Sequence, residues 1–221
     1  MARRARRGPG ALERGVLLDS YDKLCHGMSR WRSDPDLFEA RKQVLSFVVG
    51  LRFSALLIYG IRKLLEGTGL QASWGTILAD DGETCSPECD IIVHEGGRVA
   101  TWNGGDAVGC PVMEFCFINR SNVRLVISCK GQELDDIDEE VAADVRKLRP
   151  FVDRIWLFAE CCKEGKLEAL EEKSKKKGYE RFWYVYRRTT VGQLSNEEGW
   201  LEFGQSLRTL ATRRRRRSSP R

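Results

Sequence analysis

Two short runs of this chain restrict its fold more than any other feature: Glu88-Cys89-Asp90-Ile91-Ile92-Val93 and Val123-Arg124-Leu125-Val126-Ile127-Ser128-Cys129-Lys130. Both are dominated by β-branched residues and are largely apolar on both faces, which is the pattern of strands buried inside a sheet. Side chains alternate along a strand, so Glu88, Asp90 and Ile92 share a face of the first, and Ser128 and Lys130 share a face of the second. If the two strands are neighbours, Asp90 and Lys130 converge. A buried carboxylate or ammonium group is costly unless paired. The two either neutralise each other as a structural ion pair or handle a charged ligand together.

The punctuation around these runs predicts an α/β domain. Ser33-Asp34-Pro35-Asp36 offers a serine cap, a proline in the first turn and an acid three residues after the cap. A helical region is expected from Pro35 to Glu66, divided at Gly50 and Gly60 and ended by Gly67-Thr68-Gly69, with a short helix over 16–30 before it. A strand over 70–79 and a tight turn at Asp80-Asp81-Gly82-Glu83 lead into the first key strand. Residues 96–109 read as loop, 111–118 as strand or irregular structure, and Asn119 to Asn122 as a turn. Gly131 is expected to close the second key strand. A helix from Leu134 to Leu148 stopped by Pro150, a strand over Ile155 to Ala159, a charged helix from Lys163 to Lys177, a strand over Arg181 to Arg187 and a helix from Asn196 to Ala211 complete the chain. That order implies a central mixed β-sheet flanked by helices on both faces.

Charge is unevenly distributed. The first fourteen residues carry Arg3, Arg4, Arg6, Arg7 and Arg14 against Glu13, and the end carries Arg213, Arg214, Arg215, Arg216, Arg217 and Arg221. With a net charge of +5 for all 221 residues, the body between these arms comes by difference to about −5. The chain therefore divides into a disordered basic arm over 1–15, one domain over 16–211 and a disordered arginine-rich tail over 212–221. Such arms hold polyanions through charge alone, nucleic acid before anionic membrane. The eight cysteines follow no secretory leader and several lie in apolar strands, which indicates free thiols and the cytoplasm. The apolar stretch from Val44 to Ile61 has Arg52 at its centre, so a core helix rather than a membrane span is expected.

An Asp on one strand and an acid-or-polar-x-Lys triplet on the next, with helices around them, resembles the PD-(D/E)XK, or restriction-endonuclease-like, nuclease superfamily. The resemblance implies a Mg²⁺ (or Mn²⁺) dependent DNA endonuclease working in restriction, defence or repair, with double-stranded DNA as the expected partner, no membrane, and a homodimer as the assembly it allows. On it, Asp90 is a metal ligand, the Cys129 carbonyl another, Lys130 positions the attacking water, and Glu88 assists. Ser128 stands where the second acid is usual. The sequence is similar in this to a Ser-x-Lys branch of the superfamily, in which the following helix supplies the missing acid. Ile137, Val141, Val145 and Leu148 form the apolar stripe of that helix here. Asp144 lies at the stripe's edge and is the first candidate for the relocated ligand, with Glu140 second. The region also resembles bacterial uncharacterised nuclease-like domains through Gly75-Thr76-Ile77-Leu78, Asp80-Asp81-Gly82 and Asp90-Ile91-Ile92-Val93. Those domains carry a Glu on the preceding helix, whereas this chain has none near Ser54 and Ala55.

Two other readings compete. One is a nuclease fold with an eroded site that only binds nucleic acid, for which Ser128 speaks. The other is an interaction domain built on zinc, held by Cys85, Cys89, Cys110 and Cys116, although no Cys-x-x-Cys spacing is present.

Overall fold

The computed structural model describes residues 42–96, 98–102 and 115–215. The expected arm over 1–15, the helix over 16–30 and the capping motif at Ser33 lie outside them. The elements are α1 (Lys42–Leu64), β1 (Leu70–Leu78), β2 (Cys89–Glu95), β3 (Arg98–Trp102), β4 (Phe115–Asn119), β5 (Val123–Leu134), α2 (Glu139–Leu148), β6 (Ile155–Lys163), α3 (Leu167–Lys176), β7 (Arg181–Thr189), β8 (Gly192–Ser195) and α4 (Glu197–Arg215). The eight described strands make one mixed sheet in the order β3-β4-β1-β2-β5-β6-β7-β8. The two key runs are adjacent: β2 and β5 pair antiparallel, with Ile91 opposite Ile127 and Val93 opposite Leu125. β5 pairs β6 parallel and β6 pairs β7 parallel on the other side.

Alternation sorts the core into two layers. Ile91, Val93, Leu125 and Ile127 face α1 and α4, where they meet Phe53, Leu57, Ile61, Phe203 and Leu207. Ile92 and Val126 face the opposite way, towards Val141, Val145 and Leu148 of α2 and Leu170. Both faces of β6 are therefore covered, and eight of its nine residues are buried. The predicted α/β sheet with helices on both faces is what forms.

Several boundaries differ from expectation. α1 is continuous through Gly50 and Gly60; packing against β1 and β5 outweighs the roughly 1 kcal/mol that a helical glycine costs. β5 runs past Gly131 to Leu134, because Glu133 and Leu134 pair with Cys161 and Cys162 of β6. α2 starts five residues later than predicted, at Glu139, where Asp138 caps it by accepting from the Val141 N–H at 2.9 Å. Asp135 and Asp136 thus sit in the connection and pair with Lys163 and Lys173. β6 likewise extends to Lys163, so α3 begins only at Leu167. β3 and β8 are edge strands that no apolar alternation announced, and α4 continues to Arg215, taking Arg213, Arg214 and Arg215 into its last turn. Arg3, Arg4, Arg216 and Arg217 lie outside the described residues. Among those residues no helix is long and apolar enough to cross a membrane.

Candidate active site

The site is built where the β2–β5 ladder ends. Pairing stops at Ile91 opposite Ile127. Beyond it, the Cys129 N–H donates to Asp90 Oδ2 at 2.8 Å, so a side chain takes the place of a backbone partner. Asp90 shares the face of Ile92, and Ser128 and Lys130 share the face of Val126. All three therefore point into the layer occupied by α2.

Upstream, a network fixes the approach to β2. The Thr76 hydroxyl donates to the Ser86 carbonyl at 2.6 Å, and the Ile77 N–H donates to Ser86 Oγ at 2.9 Å. Glu88 follows at the rim, where Oε1 accepts from Trp74 Nε1 at 2.7 Å. The acidic turn before it is closed by Asp81, which accepts from the Glu83 and Thr84 N–H groups. Thr84 holds the Asp81 carboxyl below its usual range, its hydroxyl most of all.

α2 brings the remaining acid. Its buried stripe is Val141, Ala142, Val145 and Leu148, which turns Asp144 towards β5. Asp144 Oδ2 accepts from Lys130 Nζ at 2.9 Å and from Ser128 Oγ at 3.3 Å. A buried residue sets the height of the helix: the Tyr179 hydroxyl donates to the Val141 carbonyl at 2.8 Å. Burial, reinforced by the negative charge of Asp144, raises the Tyr179 phenol far out of its usual range, so it stays a donor. Tyr179→Phe removes that tie, while the carbonyl keeps its place in the helical ladder of α2. It is expected to cost about 1 kcal/mol by chemical denaturation, with a smaller loss of any activity that depends on Asp144.

Asp90, Ser128, Cys129, Lys130, Asp144 and Glu88 thus line one open pocket of about 290 Å³, together with Lys147. Glu140 does not join them; it is exposed near the start of α2. The ion pair between Asp90 and Lys130 considered as a structural alternative does not form, because Lys130 pairs with Asp144 instead. The four-cysteine arrangement does not form among the described residues either. Cys85 is exposed while Cys89 and Cys116 are buried, Cys110 lies outside the described residues, and no three His, Cys, Asp or Glu side chains gather round one point among them. Tyr179 is remote from every motif, and nothing in the order of residues marked it. Lys147 was legible in principle, lying three residues after Asp144 on the same helical face.

The electrostatics are those of a partly desolvated pocket in which three carboxylates face two lysines. Desolvation pushes the Asp90 carboxyl up from 3.8 to about 6, and Asp144 and Glu88 add to the rise; the Cys129 N–H and Lys130 only partly offset it. A carboxyl raised on folding contributes stability in acid that is lost as pH climbs through about 6. Asp90→Asn keeps an acceptor for the Cys129 N–H and removes the charge. In EDTA it is expected to raise Tm by about 3–6 °C at pH 8, for roughly 1.5 kcal/mol after discounting for the open pocket, and by almost nothing at pH 4. Scanning calorimetry at the two pH values checks this.

No protein-family model and no curated protein matches the chain. Solved structures do. NucC of P. aeruginosa ATCC27853 in its cAAA-bound form superposes with a TM-score of 0.52 at 10% identity, over 93% of this chain and 92% of that one. NucC of E. coli MS115-1, also cAAA-bound, gives 0.52 at 9% identity, over 94% and 93%. At such identities the likeness concerns the fold alone: the mixed sheet with helices on both faces is the fold of the NucC structures.

Proposed function

We propose that the chain is a metal-dependent endonuclease acting on DNA, with Asp90 and Asp144 as carboxylate ligands of Mg²⁺ or Mn²⁺ and Lys130 beside the attacking water. One observation carries this reading. Asp144 reaches from α2 to a point that Ser128 Oγ and Lys130 Nζ both touch. A carboxylate thus stands within reach of the strand position where the superfamily pattern has an acid and this chain has Ser.

The donor set fits a hard cation. Two carboxylates and the Cys129 carbonyl are oxygen ligands, and Mg²⁺ at phosphoryl sites takes one or two carboxylates and leaves its other positions to water and phosphate. The burial cost that raises Asp90 is also what a bound cation relieves. A divalent ion held there supplies Lewis-acid polarisation of the scissile phosphoryl oxygen and a more acidic water.

The residues divide the remaining work. Ser128 holds one Asp144 oxygen in place. The Cys129 N–H fixes Asp90 Oδ2, which leaves Oδ1 free to face the pocket. Lys130 is half-buried, with 29% of its side chain exposed, and its ammonium can orient a water and steady the charge that develops on the phosphate. The arginine runs at the two ends add sequence-independent attraction to nucleic acid.

The test is cleavage of supercoiled and linear duplex DNA by the purified chain with Mg²⁺, Mn²⁺ or EDTA. Metal-dependent nicking supports the reading. Binding without cleavage under every condition overturns it in favour of the eroded binding module, for which the loss of the acid at Ser128 speaks.

A further inference from the structure

Lys147 is the one cation in the pocket that the arrangement above leaves unemployed. Each of the other lysines with a described side chain forms an ion pair with a carboxylate. Lys147 forms none among the described residues, and yet it lines the pocket with Asp90, Lys130 and Asp144. Its neighbour Arg146 points elsewhere and pairs with Glu139 at 3.1 Å. Residues three apart on a helix share a face, so Lys147 extends from Asp144 one turn further along the pocket wall.

The charge of the pocket calls for such a group. Glu88, Asp90 and Asp144 face Lys130 and Lys147 there, and Lys130 is already engaged by Asp144. Asp90 and Asp144 would spend their charge on a metal ion held there. What remains uncompensated is then an ammonium group at the mouth, suited to an anion that arrives with the substrate. A phosphodiester beside the scissile one is such an anion, one backbone step away.

We infer that Lys147 is a substrate-binding residue that holds a backbone phosphate adjacent to the cleaved one; this rests on the nuclease reading above. The competing explanation is that a lysine in the last turn of α2 merely complements the helix dipole. The two differ in what they move: the dipole role changes stability, whereas the phosphate role changes binding and its salt dependence.

The experiment measures affinity for a fluorescein-labelled duplex by anisotropy against salt, with Ca²⁺ and separately with EDTA. It compares the full chain with Lys147→Ala, Lys147→Glu and Lys147→Arg. Lys175→Ala serves as control; that lysine is paired with Glu171 and lies outside the pocket. One lost phosphate contact lowers the log–log salt slope by about 0.9 on duplex DNA. Lys147→Ala should show that loss and bind about fivefold more weakly near physiological salt. Lys147→Glu should be weaker still, Lys147→Arg and the control close to wild type, and Tm unchanged throughout. With Mg²⁺, Lys147→Ala should raise KM and spare kcat.

An unchanged slope and KM in Lys147→Ala, in a chain that cleaves DNA, overturns this assignment alone. So does a fall in Tm with binding intact, which marks the dipole role. If the chain binds and the slope falls as expected but nothing is cleaved, the endonuclease reading fails and the placement beside a cleaved phosphate fails with it, while the phosphate contact of Lys147 stands. If the chain binds no nucleic acid, both fail.

Discussion

Asp144→Ala abolishes Mg²⁺-dependent DNA cleavage and leaves the fold intact: that is the expected result with the largest effect on function. The carboxylate sits at the pocket wall with 35% of its side chain exposed, outside the apolar stripe of α2. Its removal costs the ion pair with Lys130 and about 1 kcal/mol of stability, not the helix. The loss in rate is far larger. A metal ligand contributes several kcal/mol to transition-state stabilisation, so a fall of roughly 10³ or more is expected. Asp90→Ala and Lys130→Ala should fall comparably, while Glu140→Ala, whose side chain lies outside the pocket, should remain near wild type. A plasmid-nicking time course with circular dichroism as the folding control measures all four. The double variant Ser128→Glu with Asp144→Ala is the sharper test. Ser128 Oγ lies 3.3 Å from Asp144 Oδ2, so a longer acid on the strand can present its carboxylate to the same point. Partial recovery of Mg²⁺-dependent nicking is expected. A wild-type rate in Asp144→Ala would sink the relocation and turn attention to Glu88, which also lines the pocket.

The largest expected effect on stability is at Gly75. This residue pairs with Cys89 of β2 on one side and Cys116 of β4 on the other, at the irregularity where the β1–β2 register shifts. Its φ of +154° is a conformation that L side chains rarely adopt. An added Cβ would lie 1.9 Å from the Cys116 carbonyl oxygen, well inside contact distance. Backbone cannot yield there as a flexible side chain would, so Gly75→Ala must part β1 from β4 or undo the bulge. A loss of about 3 kcal/mol or more is expected, read from chemical denaturation, and Gly75→Val should not accumulate as folded protein. The consequence reaches the site as well. Trp74, next in the chain, donates to Glu88 at the pocket rim, so any folded fraction of Gly75→Ala should also show altered metal dependence.

Much of this was present in the linear order of residues. The runs around Asp90 and Lys130 read as buried strands, because β-branched residues dominate them and both faces are largely apolar. Their alternation already put Asp90 on the face of Ile92, and Ser128 and Lys130 on that of Val126. Helical spacing put Asp144 and Glu140 along the edge of the apolar stripe with Asp144 the first candidate, and the structure has Asp144 in the pocket and Glu140 exposed. These inferences held because period 2 and period 3.6 are local properties, fixed by backbone geometry whatever the rest of the chain does.

What sequence could not decide was partnership and length. Gly131 was expected to stop β5, but pairing of Glu133 and Leu134 with Cys161 and Cys162 carried the strand past it. Hydrogen bonds to a neighbouring strand outweigh a single residue's preference. The same extension delayed α2 to Glu139 and gave Asp135 and Asp136 to lysines instead of a helix terminus. β3 and β8 lie at the edges of the described sheet, and β8, exposed at each of its residues, needs no apolar alternation. Above all, Lys130 was free on paper to pair with Asp90 or with an acid of the next helix. The choice of Asp144 followed from where Tyr179 and the buried stripe seat α2, at distances that exist only once the layers have packed.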